Sequence, residues 1–187
     1  MNVYDFDGTI YNGDSTVDFF FYCLCMRPRI VAYMFRQAFG VLRYAVGAID
    51  TTRMKEEFFS FLPALGDSAA LAVSFWETRR RKVKGWYLER KRKSDVVVSA
   101  SPEFLLRPIC ASLDIEPPIA TRVDPESGRI QGRNCKGEEK LLRFVERFPE
   151  GNIQHFYSDS LSDAPLAKLA AEALLVKKDV LLPWPER

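Results

Sequence analysis

The chain has 187 residues, 47% of them hydrophobic, and a formal net charge of +2, enough to bury one good core with material for a modest second lobe. That composition excludes a disordered chain. The four cysteines, Cys23, Cys25, Cys110 and Cys135, show no CxxC spacing, which argues against a disulfide framework and for free thiols in a reducing compartment. No charged and then apolar leader precedes Val3, so no signal peptide is expected.

In chain order, apolar runs of strand length occur at Val3 to Phe6, Val96 to Val98, Ile119 to Val123, Ile153 to Tyr157 and, more weakly, Ala173 to Val176, with helical patterns between most of them. This alternation predicts an α/β protein with a doubly wound, largely parallel sheet. The first gap breaks the rhythm. From Ser15 to about Arg92 only helical patterns occur, punctuated by Pro28, the cap signal Asp50-Thr51-Thr52, Pro63 and the cap signal Gly66-Asp67-Ser68. Residues 14–92 are therefore read as an inserted all-helical cap, and residues 1–13 and 93–187 as the α/β core. Between Ile119 and Gly132 the stretch Asp124-Pro125-Glu126-Ser127-Gly128 predicts a hairpin turn.

Polar groups stand just behind three of the runs: Asp5 and Asp7 in DFDGT, Ser99 in VVVSAS, and Asp159 and Asp163 in SDSLSD. In an open parallel sheet all strand ends lie on one edge, where ligands bind. Asp5, Asp7, Ser99 and Asp159 are thus expected to converge. Three carboxylates held together need a cation, and a hard oxygen site with few protein ligands suits Mg²⁺ with bound phosphate. The single histidine, His155, lies inside a strand run, so no Ser-His-Asp or Cys-His set is available. A carboxylate nucleophile remains. Ser101-Pro102-Glu103 reads as N-cap, first position and first-turn acid of a helix.

DFDGT, VVVSAS, a lysine in CKGEEK and SDSLSD, in this order, resemble the four motifs of the haloacid dehalogenase (HAD) superfamily of phosphatases. The insertion directly after the first motif is similar to the branch containing phosphoserine phosphatase. The resemblance implies a Rossmann-like core, a Mg²⁺ cofactor and hydrolysis of a phosphomonoester through an aspartyl-phosphate. It implies that Asp5 is the nucleophile and a metal ligand, and that Asp7 is the general acid and then base, its backbone carbonyl on the metal. Gly8 would let the backbone turn around the phosphate, and Thr9, Ser99 and Ala100 would contact it. Asp159 would ligate the metal and Asp163 support it. An acid at Asp7 argues against the dehalogenases themselves, which lack one there. The same residues permit transfer of the phosphoryl group to an alcohol, or a silent member that only binds a phosphorylated ligand.

Two lysines compete for the third motif. Lys140 stands one turn before Phe144 on the apolar stripe of the following helix, whereas Lys136 precedes that helix beside Gly137. Periodicity favours Lys140 as the residue that neutralises phosphate, with Lys136 the fallback. Asp14 reads first as a helix cap, although a similarly placed acid meets substrate in phosphoserine phosphatase. Lys55 either reaches substrate from the cap or is surface.

In the cap, Arg29, Arg36 and Arg43 recur every seven residues in an otherwise apolar stretch, and Glu77 to Lys93 holds nine Lys and Arg against two Glu. One reading is an amphipathic helix at an anionic membrane surface, helped by the FFFYCLCM run and by Trp86 and Tyr87 in the basic stretch. The other is packing within a small lobe. The partners expected are a phosphorylated metabolite or a lipid phosphate, as some phosphatidylglycerophosphate phosphatases are HAD proteins with apolar caps. No nucleic acid is expected. The expected location is the cytoplasm, at the inner membrane face if the cap touches lipid.

Overall fold

The computed structural model describes residues 1–185. Its elements run β1 (Asn2–Tyr4), α1 (Ser15–Met26), α2 (Met34–Ala45), α3 (Thr51–Phe59), α4 (Ser68–Arg79), α5 (Gly85–Leu88), β2 (Val96–Pro102), α6 (Glu103–Ser112), β3 (Ile119–Thr121), α7 (Glu138–Arg147), β4 (Ile153–Ser158), α8 (Ala164–Ala167), β5 (Ala170–Lys177) and β6 (Val180–Pro183). The strands form one sheet in the order β3-β2-β1-β4-β5-β6. All neighbours pair parallel except β5 and β6, which are antiparallel. The α/β expectation holds. The chain leaves β1 toward β2 and β3 on one side and later returns to place β4 on the other, so a crevice opens at the carboxyl ends of β1 and β4.

Successive strand residues feed opposite cores, as the two-residue repeat of a strand requires. Val96 and Val98 join Val3, Ile119, Phe144, Phe156 and Leu166 on the face covered by α7 and α8. Tyr4 and Val97 face the other way, against Leu105, Leu106 and Ile109 of α6 and the aromatic residues of the helical insertion. Tyr4 stacks on Tyr157 with ring centroids 4.6 Å apart.

The helices between β1 and β2 start where the sequence places acids. Asp14, Asp50 and Asp67 cap α1, α3 and α4, their carboxylates accepting first-turn amides. The insertion is tied back to the core by Ile130 N–H to Glu56 Oε1 at 3.1 Å and Asn134 N–H to Thr52 Oγ1 at 3.2 Å.

Several local expectations are corrected. β1 stops at Tyr4, two residues short of the expected end at Phe6, and Asp7 lies in a turn where the amides of Ile10 and Tyr11 close on the Phe6 carbonyl. β2 continues through Pro102, and Ser101 caps nothing. The expected hairpin after β3 is reduced to a single antiparallel bridge, Val123 with Ile130. The arginine repeat does not lie on one helix, because Pro28 starts a 3-10 turn over Pro28–Tyr33 and only Arg36 and Arg43 belong to α2. The FFFYCLCM run is divided: Phe19, Phe20 and Cys23 are buried, while Phe21, Cys25 and Met26 are exposed.

The basic stretch is largely exposed but partly turned inward. Lys82 pairs with Asp18 and Lys93 with Asp114. Lys84 is buried and donates to the Gly8 and Lys178 carbonyls. Trp86 packs on Tyr4 and Tyr157.

Candidate active site

The loops behind β1, β2 and β4, the N-terminus of α7 and helices α1 to α3 enclose a cleft of about 450 Å³. Asp5, Asp7, Asp14, Lys55, Ser99, Ala100, Lys136, Lys140, Asp159 and Asp163 all line it, so the structure brings these ten expected residues together. Gly8 and Thr9 do not reach the lining. Thr9 is fully buried and its hydroxyl accepts the Asp159 amide at 2.9 Å, binding the β1 loop to the β4 loop beneath the cleft. Gly8 has φ +73°, and a Cβ built on it would lie 2.1 Å from Asp159 Oδ2. Only a glycine lets the Asp159 carboxylate rest against this backbone.

Of the two competing lysines, Lys140 is the one that reaches Asp5. Its Nζ donates to Asp5 Oδ1 and to Asp163 Oδ2, both at 2.7 Å, with 3% of the side chain exposed. The apolar periodicity of α7 produces this: Lys140 and Phe144 are the buried residues of that helix, one turn apart. Burial pushes the ammonium toward neutrality, but the two carboxylates outweigh it and its pKa is raised. Lys136 is exposed at the cleft rim. Asp163 Oδ2 also accepts from Ser158 Oγ at 2.8 Å. Asp163 therefore holds the lysine that in turn holds Asp5.

The sequence reading missed the residues that hold Asp7. Asp7 Oδ1 accepts the Ser15 amide at 2.6 Å, the first turn of α1, and Oδ2 accepts the Ser101 hydroxyl. Ser101 Oγ lies 2.8 Å from Thr16 Oγ1 and 3.4 Å from Ser15 Oγ. The signal was present, a Ser-x-Ser at the end of β2, but Ser-Pro-Glu imitates a helix start. Ser99 Oγ turns to the Ser101 amide at 3.1 Å. Asn134 was also missed: it is buried on the cleft wall, and its Nδ2 has no hydrogen-bond partner among the described residues.

Burial pushes Asp5 up to about 7 against the pull of Lys140, and Asp7 up to about 6 with a further push from Asp14. Asp159 is raised by desolvation as well. Lys55 Nζ donates to the Ala100 carbonyl at 2.7 Å, and burial pushes this ammonium down to about 8. Asp14 faces the same cleft while capping α1.

The donor set fits Mg²⁺. Asp5 Oδ2 and the Asp159 carboxylate have no cationic partner among the described residues, since Lys140 takes only Oδ1 of Asp5. No three His, Cys, Asp or Glu side chains gather as a metal-binding group among the described residues. The expected gathering of three carboxylates into such a group is thus not formed, and the fit rests on the unpaired oxygens of Asp5 and Asp159, since Mg²⁺ needs only one or two carboxylates beside water and phosphate.

Residues 3–168 match the family model of haloacid dehalogenase-like hydrolases. Protein CicA of Caulobacter vibrioides is 28% identical over 191 aligned residues, covering 90% of this chain and 82% of CicA. A solved structure from Bordetella pertussis Tohama I, described as a protein with unknown function, superposes with a TM-score of 0.76 at 21% identity, covering 92% of this chain and 87% of the other. A phosphoserine phosphohydrolase-like protein from Francisella tularensis has the same fold with a TM-score of 0.56 at 14% identity, covering 92% and 86%.

Proposed function

The chain belongs to the haloacid dehalogenase-like hydrolases, and we propose that it is a phosphatase that hydrolyses a phosphomonoester with Mg²⁺ through an aspartyl-phosphate on Asp5. The observation that carries this reading is the buried pair Asp5–Lys140 at the carboxyl end of β1, beside a second carboxylate, Asp7, on separate supports.

A carboxylate oxygen of Asp5 attacks phosphorus as the bond to the leaving oxygen breaks. Lys140 stays charged throughout and fixes Asp5 Oδ1, so the attacking carboxylate is oriented before substrate arrives. Asp7 gives its proton to the leaving oxygen. It then takes one from the water that attacks the phosphorus of the aspartyl-phosphate, which releases phosphate and restores Asp5. A pKa raised by burial leaves a fraction of Asp7 protonated near neutrality, as the first half-reaction needs. The Ser101 hydroxyl can donate to the ionised Asp7 and turn its proton toward Thr16 or Ser15 when Asp7 is protonated, so it serves both states. Asp5, Asp159 and the Asp7 backbone carbonyl would hold Mg²⁺. When bound, the ion supplies charge neutralisation for the phosphoryl oxygens.

The lining of the outer cleft supports a reading of the leaving group. Tyr44, Met54, Phe58 and Phe59 form an apolar wall, and Lys55, Lys136 and the unpartnered Asn134 amide face the same space. These residues favour a leaving group with both apolar surface and an anionic or acceptor group, in a small metabolite or a lipid phosphate.

The test is hydrolysis of an aryl phosphate by the purified protein with Mg²⁺, with chelator, and by Asp5→Asn. The expected result is metal-dependent turnover that the substitution abolishes. Undiminished turnover by Asp5→Asn overturns the proposal.

A further inference from the structure

Helix α2 is built inside out. Its buried residues are Gln37 and Gly40. Gln37 Nε2 donates to the Phe58 carbonyl at 3.0 Å, and a Cβ built on Gly40 would lie 2.7 Å from Glu57 Cβ, so the polar and small side of α2 is the side pressed onto α3. The opposite side carries Phe35, Phe39, Leu42 and Val46, spaced four, three and four residues apart and therefore in one stripe. Their exposures are 84%, 60%, 58% and 71%. Val31, in the turn before the helix, adds 52%. An ordinary helix of a water-soluble lobe turns such residues inward. A contiguous exposed apolar patch marks a surface that meets something else.

The charges around the stripe identify what it meets. Arg27, Arg29, Arg36 and Arg43 belong to this segment, and no acid occurs between Asp18 and Asp50. Arg27, Arg29 and Arg36 are exposed, Arg43 lies over the Phe39 ring at 5.8 Å, and Arg36 reaches across to Glu57. A second copy docked by a twofold axis would set Arg27, Arg29 and Arg43 against their own copies, a repulsion that the single Glu57 beside Arg36 does not offset. An anionic lipid surface matches both halves of the pattern, with phenylalanines and leucine in the acyl boundary and arginines among the headgroup phosphates. No single helix among the described residues is long and apolar enough to cross a membrane. The exposed face of α2 offers contact along one side of a helix.

We propose that the Phe35–Phe39–Leu42–Val46 face of α2, with Arg29 and Arg43, docks this protein onto an anionic lipid bilayer. This surface stands apart from the chemistry of the cleft, and its test needs no turnover.

The protein is floated with vesicles of phosphatidylcholine alone or of phosphatidylcholine and phosphatidylglycerol in equal amounts. The wild type is expected to float with the anionic vesicles only and to be released by salt. Arg29→Glu with Arg43→Glu lowers the partition coefficient by roughly tenfold or more, and Phe35→Ser with Phe39→Ser and Leu42→Ser abolishes flotation. Both variants keep the wild-type circular dichroism spectrum and aryl-phosphate turnover, because none of these residues lines the cleft. Phe39→Trp provides a local readout, its emission shifting to the blue with anionic vesicles. Wild-type protein that stays in solution with both vesicle types overturns the proposal, as does undiminished flotation of the triple serine variant. A wild-type dimer that the serine variant dissolves, without vesicle binding, assigns the face to a second copy instead.

Discussion

Lys140 is a cation sealed between two carboxylates, and its removal leaves both of them buried without a counter-charge. Breaking a buried pair from one side costs about 3–5 kcal/mol. Lys140→Met is expected to lose that order of stability in chelator at neutral pH, read from denaturant unfolding, and to lose turnover as well. Lys136→Met, at the exposed rim, keeps stability within about 0.5 kcal/mol of wild type. Lys55 gives a pH signature. Its pKa is depressed by burial to about 8, so its ammonium is present at neutrality and disappears as pH rises through 8. KM for a substrate whose leaving group is anionic should therefore rise above pH 8, by up to about tenfold per unit. Lys55→Met should give a high KM that no longer changes across that window. The same depression sets the sign for stability: the burial cost is fully present below the folded value and relieved as pH climbs toward the ordinary lysine value. Lys140 was legible in the sequence because its role depends on helix periodicity, which one stretch of chain displays. Ser101 and Asn134 were not, because contacts that place them come from α1 and α3, far away in the chain.

Among elements, the contact between α2 and α3 depends on one missing side chain. Gly40→Leu must push α2 off Glu57 and should destabilise the protein by about 1–3 kcal/mol, measured by thermal or denaturant unfolding. A melting curve unchanged from wild type contradicts the described packing. Capping acids made the helical starts at Asp14, Asp50 and Asp67 readable, since the cap signal is local. The end of β1 was not readable. Apolar residues continue to Phe6 while the chain already turns, because Phe6 enters the core from the turn itself. The inverted polarity of α2 was half visible: the sequence showed apolar residues beside an arginine repeat, but which side faced solvent depended on how Gln37 and Gly40 met α3.

For the molecule as a whole, the strand order places β1 between β2 and β4, and this alone gathers three motifs separated by up to 150 residues at one sheet edge. Strand pattern was sufficient to predict that convergence. It could not foresee β6, whose antiparallel return extends the sheet edge away from the cleft. The insertion between β1 and β2 then supplies the walls that a bare sheet edge lacks, with Lys55 reaching the Ala100 carbonyl across the gap. The account rests on Asp5 as the atom donor to phosphorus. The most direct measurement is to acid-quench the protein during turnover with an unlabelled phosphate donor, reduce it with tritiated borohydride, which expels the phosphate and leaves tritium at the reduced carbon, and map the labelled peptide. The account predicts label on the peptide containing Asp5, reduced to homoserine at that position and absent from Asp5→Asn. Turnover with label at another residue, or equal label in Asp5→Asn, would contradict it.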